Sequence, residues 1–198
     1  MKYLPVLSLL ILLSFSVNAQ YTLSIEAGYS DYITKQPSFP LNEDILNGFV
    51  NFEPLRSWRV TIDRRFKKEK FIGMLGLTYY DVSAENFFFD NWINTFFGIH
   101  IGAEYKIKKF RLGLHSYPAA RWDSSINFGG LGRSKELVIH ADINPSIGYT
   151  IFDKLMVRAS FSYGLNRALK PKGRDYEYRI SALRLGLQYE FFSKRKTK

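Results

Sequence analysis

Cysteine is absent from this sequence, and acidic residues are scarce, with 18 Asp and Glu against 28 Lys and Arg. Without a thiol the protein forms no disulfide, no thiolate metal site and no cysteine nucleophile. The formal net charge of +10 would suit a nucleic-acid-binding protein, but the basic residues gather on no single stretch of the chain. We therefore expect no nucleic-acid partner, and any catalysis has to use other groups.

The sequence also lacks long apolar runs, except at its N-terminus. A cationic start at Met1 and Lys2 precedes an apolar run over residues 4–17, and Val17-Asn18-Ala19 has the small residues that signal peptidase accepts. This is the pattern of a secretory signal peptide. A retained membrane anchor is the alternative, but a spanning helix needs roughly 20 apolar residues. We predict a signal peptide over residues 1–19 and an exported mature chain.

What dominates the mature chain is alternation of apolar and polar residues, the period of β-strands with chemically different faces. The alternation predicts strands at about 20–30, 57–66, 71–80, 96–107, 110–117, 136–150, 154–165 and 177–191. In the last strand the parity changes, which predicts a β-bulge near Ser181 and Ala182. The length suits one domain, over residues 20–192, with a basic tail over residues 193–198.

The predicted connections alternate between long and short. The long ones cover about 31–56, 81–95, 118–135 and 166–176, and the short ones cover 67–70, 108–109 and 151–153. In an up-and-down sheet this places every long loop at one end and every short turn at the other. An even number of strands with this asymmetry predicts an all-β fold, an eight-stranded antiparallel up-and-down transmembrane β-barrel.

Two faces of opposite character support a barrel whose apolar side is outside. The polar face carries many charges and several glycines, whereas the other face is almost uncharged. A soluble barrel with its apolar face inward is the alternative, but its water-facing surface would carry charged residues. Aromatic residues mark both strand ends, as expected of interfacial girdles. At the turn end we place Tyr21, Phe66, Phe71, Tyr105, Phe110, Tyr149, Tyr189 and Phe191, and at the loop end Tyr29, Trp58, Tyr79, Phe97, Tyr117 and Tyr163.

The last strand, Arg184-Leu185-Gly186-Leu187-Gln188-Tyr189-Glu190-Phe191, resembles the assembly signal of outer-membrane barrels. That signal has a polar residue, a glycine two positions later and hydrophobic residues at the end, here Arg184, Gly186, Tyr189 and Phe191. The mature chain is similar to small Gram-negative outer-membrane barrels of the OmpA/OmpX type and to porin-family barrel domains. The resemblance implies location in the outer membrane, lipopolysaccharide and phospholipid as lipid partners, and recognition by the barrel assembly machinery. Because this family includes adhesion proteins, lipid-A-modifying enzymes and narrow pores, it does not fix the activity.

The three histidines, His100, His115 and His140, lie on the polar face. If the connections are centred on symmetric hairpins, His115 lies diagonal to His100 and opposite His140. Three imidazoles on adjacent strands could bind a divalent metal or act as acid and base. The alternative is a hydrogen-bonded network that fills a narrow lumen. We favour the network, and we expect no cofactor.

A lipid-modifying enzyme would need a nucleophile and a base that reach the bilayer. His115 and Ser116 are adjacent in the strand and therefore point to opposite faces, so they form no dyad. We predict a non-enzymatic protein with a plugged polar lumen, and we keep a lipid-A-modifying or metal-using enzyme as the alternative.

The predicted loop 81–95 carries more apolar area than a solvated loop needs, in Phe87, Phe88, Phe89 and Trp92. These side chains could cover the barrel mouth, or they could bind an envelope protein. The sequence leaves both possibilities open. Extracellular loops used for binding, adhesion or contacts within an envelope complex are the predicted functional surface.

Overall fold

The computed structural model describes residues 20–35, 53–86, 89–127, 139–165 and 177–191. The predicted signal peptide and basic tail lie outside these ranges. The strand segments are β1 (Gln20–Lys35), β2 (Glu53–Lys68), β3 (Phe71–Asn86), β4 (Phe89–Ile107), β5 (Phe110–Ser116), β6 (Ala119–Asn127), β7 (Ile139–His140), β8 (Asp142–Phe152), β9 (Leu155–Gly164) and β10 (Glu177–Phe191). Among the described residues, no helix is long and apolar enough to cross a membrane.

The strands close into a barrel of eight antiparallel strands. Segments β5 and β6 are successive parts of one barrel strand, because both pair with β4. Segments β7 and β8 form another, since they pair with β6 and β5 respectively. Pairing of β3 with β4 completes the ring, and β1 pairs with β10 from Tyr21↔Phe191 to Lys35↔Glu177. The predicted strand count and up-and-down order are confirmed.

Tight turns join strands at the end of the barrel where the chain enters and leaves it. Between β2 and β3, β4 and β5, and β8 and β9 there are only residues 69–70, 108–109 and 153–154. Glu69 and Lys108 have positive φ angles of 53° and 55°, a backbone conformation in which glycine or asparagine is more usual. The predicted short turns at one end of the barrel are therefore confirmed.

The prediction of a long loop over 81–95 is wrong. Strand β3 continues to Asn86 and β4 begins at Phe89, so the two strands pair as far as Asn86↔Phe89. The alternation rule failed here because these segments extend beyond the aromatic girdle. Their outer face is no longer uniformly apolar, as Asp81 shows. The same extension carries β1 to Lys35 and β6 to Asn127.

The outward face is apolar and aromatic between the two ends, as predicted. At the turn end, rings on neighbouring strands pair across the sheet: Phe71 with Tyr105 at 4.9 Å, and Phe110 with Tyr149 at 5.1 Å between centroids. At the loop end Trp58 lies 5.2 Å from Tyr79. Tyr117 is the exception, because it is only 1% exposed inside the lumen. Tyr117 lies two residues after His115 in a strand without a register shift, so both side chains point into the lumen. The predicted outward placement of Tyr117 is wrong.

Strand β10 has no bulge. Its register with β1 runs without a shift from Glu177 to Phe191, so Ile180 and Ala182 share the inward parity of Arg184, and all three are buried. The apparent parity change at Ser181 and Ala182 comes from a change in the chemistry of the inward face. That face is charged toward the turns and apolar toward the loops.

Candidate functional site

The turn-side and central part of the lumen holds a set of charged side chains that we call the ionic layer. Each of its members is at most 7% exposed. Its members are Glu26, Arg59, Arg65, Glu104, Arg111, Arg158 and Glu190. They come from β1, β2, β4, β5, β9 and β10, because polar residues occupy the inward parity of each of these strands.

Glu104 is the centre of the ionic layer. One of its carboxylate oxygens lies 2.5 Å from Arg158 Nη2, and the other lies 3.3 Å from Arg65 Nη2 and 3.5 Å from Arg111 Nη1. Arg65 continues the network to Glu190 at 2.8 Å. Apart from the contact with Arg111 on the neighbouring β5, these contacts join strands that are not neighbours in the sheet. The ion pairs therefore extend across the lumen and do not merely line its wall.

A second branch of the ionic layer runs through Glu26. Its carboxylate pairs with Arg59 and lies 3.5 Å from Arg158. The guanidinium carbon of Arg59 also lies 3.7 Å from the centre of the Tyr117 ring, a cation–π contact. Both arginines thus have carboxylate partners, and Arg59 also has an aromatic one, which lowers the cost of burying their charges.

Toward the loops the lumen contains a set of mainly apolar side chains that we call the aromatic layer, beside the buried polar side chains of Asn94 and Arg121. Its members are Tyr80, Val82, Phe96, His140, Ile180 and Ala182, none more than 3% exposed. Tyr80 stacks on Phe96 at 5.1 Å between centroids, and its hydroxyl lies 2.6 Å from His140 Nδ1. Sequence reasoning missed this layer, although extending the inward parity of β3 and β4 past the girdle would have found it.

His100 and His115 form a hydrogen-bonded row. Asp63 Oδ1 lies 2.5 Å from His100 Nδ1, His100 Nε2 lies 3.0 Å from His115 Nδ1, and His115 Nε2 lies 2.9 Å from Ser146 Oγ. Gly102 makes this approach possible, because a Cβ there would lie 2.3 Å from His115 Nδ1. The diagonal placement of the two imidazoles is as predicted.

His140 is not part of this row, contrary to the predicted trio. His115 faces Asn144, while His140 pairs with Ala119 and belongs to the aromatic layer. The symmetric-hairpin assumption failed because the connection after Asn127 is not centred where we placed it. In the described part of the chain, no three His, Cys, Asp or Glu side chains are grouped as metal ligands. The described residues therefore do not assemble the predicted metal site.

The row from Asp63 to Ser146 has the order of an acid, two bases and a hydroxyl. Such an order can orient imidazole tautomers and polarise a serine. Here His100 and His115 are at most 2% exposed, and the carboxylate of Glu104 lies 4.0 Å from His115 Nε2. The row is thus continuous with the ionic layer, as the predicted lumen network requires.

The proposed assembly-signal residues divide between the two faces of β10. Arg184 is buried and donates to Ser57 Oγ and Ser162 Oγ. Tyr189 is exposed on the outer face, and Phe191 stacks on Tyr21 at 6.1 Å. Gly186 faces Glu26, and a Cβ there would lie 2.4 Å from Glu26 Cγ. Close packing against Glu26 therefore accounts for a glycine at this position without any assembly signal.

Of the aromatic residues proposed for partner binding, Phe87 and Phe88 lie outside the described residues. Phe89 and Trp92 lie in β4, where their backbones pair with Asn86 and Ala84. Their position on a strand, near the loop-side end of the β3–β4 hairpin, replaces the loop that we predicted.

Comparisons with known proteins support the fold. No family model and no curated protein matches the chain. Neisserial surface protein A is 12% identical, with a TM-score of 0.55, over 86% of this chain and 97% of that structure. Ail of Yersinia pestis is 13% identical with a TM-score of 0.49, over 88% and 99%, and the N-terminal β-barrel domain of Pseudomonas aeruginosa OprF is 12% identical with a TM-score of 0.49, over 88% and 100%.

Neisserial surface protein A is an eight-stranded outer-membrane barrel, and the present chain closes in the same way. The chain therefore has the fold of an eight-stranded transmembrane β-barrel. At this level of identity the likeness shows the fold alone.

Proposed function

We propose that the protein is an integral outer-membrane component of a Gram-negative bacterium, exported by a signal peptide over residues 1–19. Its lumen is plugged, it is not an enzyme, and its loop-side end binds a partner, as an adhesin or a member of an envelope complex. The ionic layer is the observation that carries this proposal. Ion pairs that cross the lumen support a plug, because their side chains occupy the space through which a solute would have to pass.

Electrical recordings in planar lipid bilayers test the plug. We expect no steady ion conductance from the reconstituted protein. Glu104→Ala with Arg158→Ala removes the central ion pair, and its small intermittent currents would show that the assay detects opening. Steady conductance in the unaltered protein would contradict a plugged lumen.

Cross-linking at the loop-side end tests the partner. A photoreactive residue in place of Phe88 should capture an envelope protein in intact cells, whereas the same residue in place of Lys109, at the opposite end, should not capture that protein. Equal capture from both ends, or none from Phe88, would contradict a partner held by the β3–β4 hairpin.

Replacement of both Tyr189 and Phe191 by serine tests the assembly role of β10. We expect much less protein in the membrane, measured as the heat-modifiable folded band on gels. The matched change of Tyr149 and Phe152, exposed aromatics at the same end, should reduce it less. An equal reduction by both pairs would mean that the aromatic residues anchor the barrel and carry no assembly signal.

An enzyme remains the second candidate because of the row that ends at Ser146. A hydroxyl activated by His115 would react with a fluorophosphonate probe. We expect no labelling, since the row lies within the lumen. Labelling that is lost in Ser146→Ala and retained in Ser116→Ala would favour the enzyme.

A further inference from the structure

A groove crosses the outer face of the barrel where β10, β1 and β2 meet, in its loop-side half. It is lined by Ala27, Gly28, Tyr29, Arg56, Ser57, Trp58, Leu183, Arg184 and Leu185. Protein atoms leave about 1050 Å³ free there, counting the part open to the surroundings. A transmembrane barrel presents this face to lipid.

The groove exists because of one small residue between larger ones. Ala27 pairs with Trp58 on β2 and with Leu185 on β10, so a methyl group lies between an indole and an isobutyl side chain. The Trp58 ring packs on Tyr79 of β3, with 5.2 Å between the ring centroids, and therefore covers Tyr79. The space over Ala27 has the apolar walls that suit an acyl chain.

A cation lies at the loop-side corner of the groove. Arg56 pairs with Tyr29, the residue that follows Ala27 on the same face of β1. Its side chain is exposed, and no ion pair engages it within the described part of the chain. Guanidinium groups bind phosphate through directed, charge-assisted hydrogen bonds.

The backbone around Arg56 is held in place by side chains of β3. The β2–β3 register shifts between Pro54 and Arg59, an irregularity that redirects side chains. Ser83 Oγ donates to the Arg56 carbonyl, and the Trp58 amide donates to Asp81 Oδ1 at 2.6 Å. The carboxylate of Asp81 therefore accepts a hydrogen bond from the backbone of β2. Asp31, whose side chain is on the outward side of β1, also has an interaction.

We propose that this groove is a binding site for a phosphorylated glycolipid of the loop-side leaflet, of the lipid A type. One acyl chain lies over Ala27 between Trp58 and Leu185, and a headgroup phosphate binds Arg56. Charge complementarity and the apolar slot beside it select a ligand that has both parts. The site rests on the transmembrane fold and is independent of whether the lumen is plugged.

Native mass spectrometry of the delipidated protein in mild detergent, titrated with lipid A, tests the site. Ala27→Leu fills the slot, and Ala103→Leu, at an exposed alanine on β4, adds the same group elsewhere. Arg56→Gln removes the cation, and Lys109→Gln removes one at the turn end. We expect Ala27→Leu and Arg56→Gln each to weaken lipid A binding about tenfold, the effect of losing one charge-assisted hydrogen bond or a comparable apolar contact. The two controls should bind as the unaltered protein does.

The choice of lipid separates this site from general lipid contact. Phosphatidylglycerol and phosphatidylcholine should bind more weakly than lipid A, and inorganic phosphate should not displace it. Equal binding of phosphatidylcholine, preference for phosphatidylglycerol, or displacement by phosphate alone would overturn the assignment. So would unchanged binding by Ala27→Leu that keeps its folded, heat-modifiable band.

Discussion

The turn-side and loop-side halves of the lumen are filled by side chains of different chemistry. In the ionic layer each charged group depends on particular partners, as Glu104 depends on Arg65, Arg111 and Arg158. In the aromatic layer Tyr80 and Phe96 fill space by shape, and the Tyr80 hydroxyl contacts His140. Apolar packing tolerates changes that conserve volume, whereas a buried charge that loses its partner is left uncompensated. The two halves should therefore differ sharply in their response to single substitutions.

The largest effect is expected from Glu104→Gln. The side chain keeps its size but leaves three arginines without their shared carboxylate, so unfolding free energy should fall by about 3–5 kcal/mol. Urea unfolding in lipid vesicles, followed by tryptophan fluorescence, measures the loss. The control Glu69→Gln, at an exposed turn, should change stability little. If Glu104→Gln lost less unfolding free energy than the aromatic-layer variants, the proposed difference between the two layers would be wrong.

The second-largest loss of unfolding free energy is expected from Glu26 and Arg59, tested by a double-mutant cycle. Each single change to glutamine leaves one buried charge, so the pair removed together should cost less than the sum of the single losses, with a coupling of about 1–3 kcal/mol. The same unfolding assay supplies all four free energies. Additive losses would mean that the two side chains stabilise the barrel independently.

A smaller loss is expected from Phe96→Leu in the aromatic layer. The change keeps an apolar side chain of similar volume, so the cost should stay below about 1.5 kcal/mol. Phe96→Asn, which buries an amide among apolar neighbours, is the matched contrast and should cost more. If leucine is as damaging as asparagine, the layer does not depend on apolar volume.

The smallest effect is expected from Lys67→Gln at the edge of the ionic layer. Lys67 pairs with Glu190 at 2.8 Å, but its side chain is 37% exposed. Exposed pairs contribute about 0–1 kcal/mol, and salt screens them. The loss should shrink further in high salt, whereas the loss from Glu104→Gln should change little. Equal salt sensitivity would show that water reaches Glu104.

The sequence was sufficient for the barrel and for most of its charged interior. Strict alternation placed Glu104, Arg158 and Asp63 inward, since lipid outside and charge inside give the two parities opposite chemistry. The partners of each charge could not be predicted, because stagger between strands decides which side chains meet across the lumen. His140 shows this: its parity was right and its neighbours were wrong.

Above the aromatic girdle, alternation loses its meaning. The outside is no longer lipid, so polar residues such as Asp81 can face outward while Tyr80 and Ile180 fill the inside. This change in the chemistry of the two faces explains both wrong predictions, the loop over 81–95 and the bulge near Ser181 and Ala182. The groove at Ala27 was also missed, because it depends on the strand register that places Ala27 between Trp58 and Leu185.

Closure of the ring by β1 and β10 constrains the order in which the protein can be made. Tyr21, in the first strand of the barrel, pairs with Phe191, in the last one. No partial chain can complete the ring, and contacts so distant in sequence make folding slow. Until β10 is synthesised, β1 has an unpaired edge that could join another chain. The ring can therefore close only when β1 and β10 are both present, although hairpins between strands adjacent in sequence can form earlier.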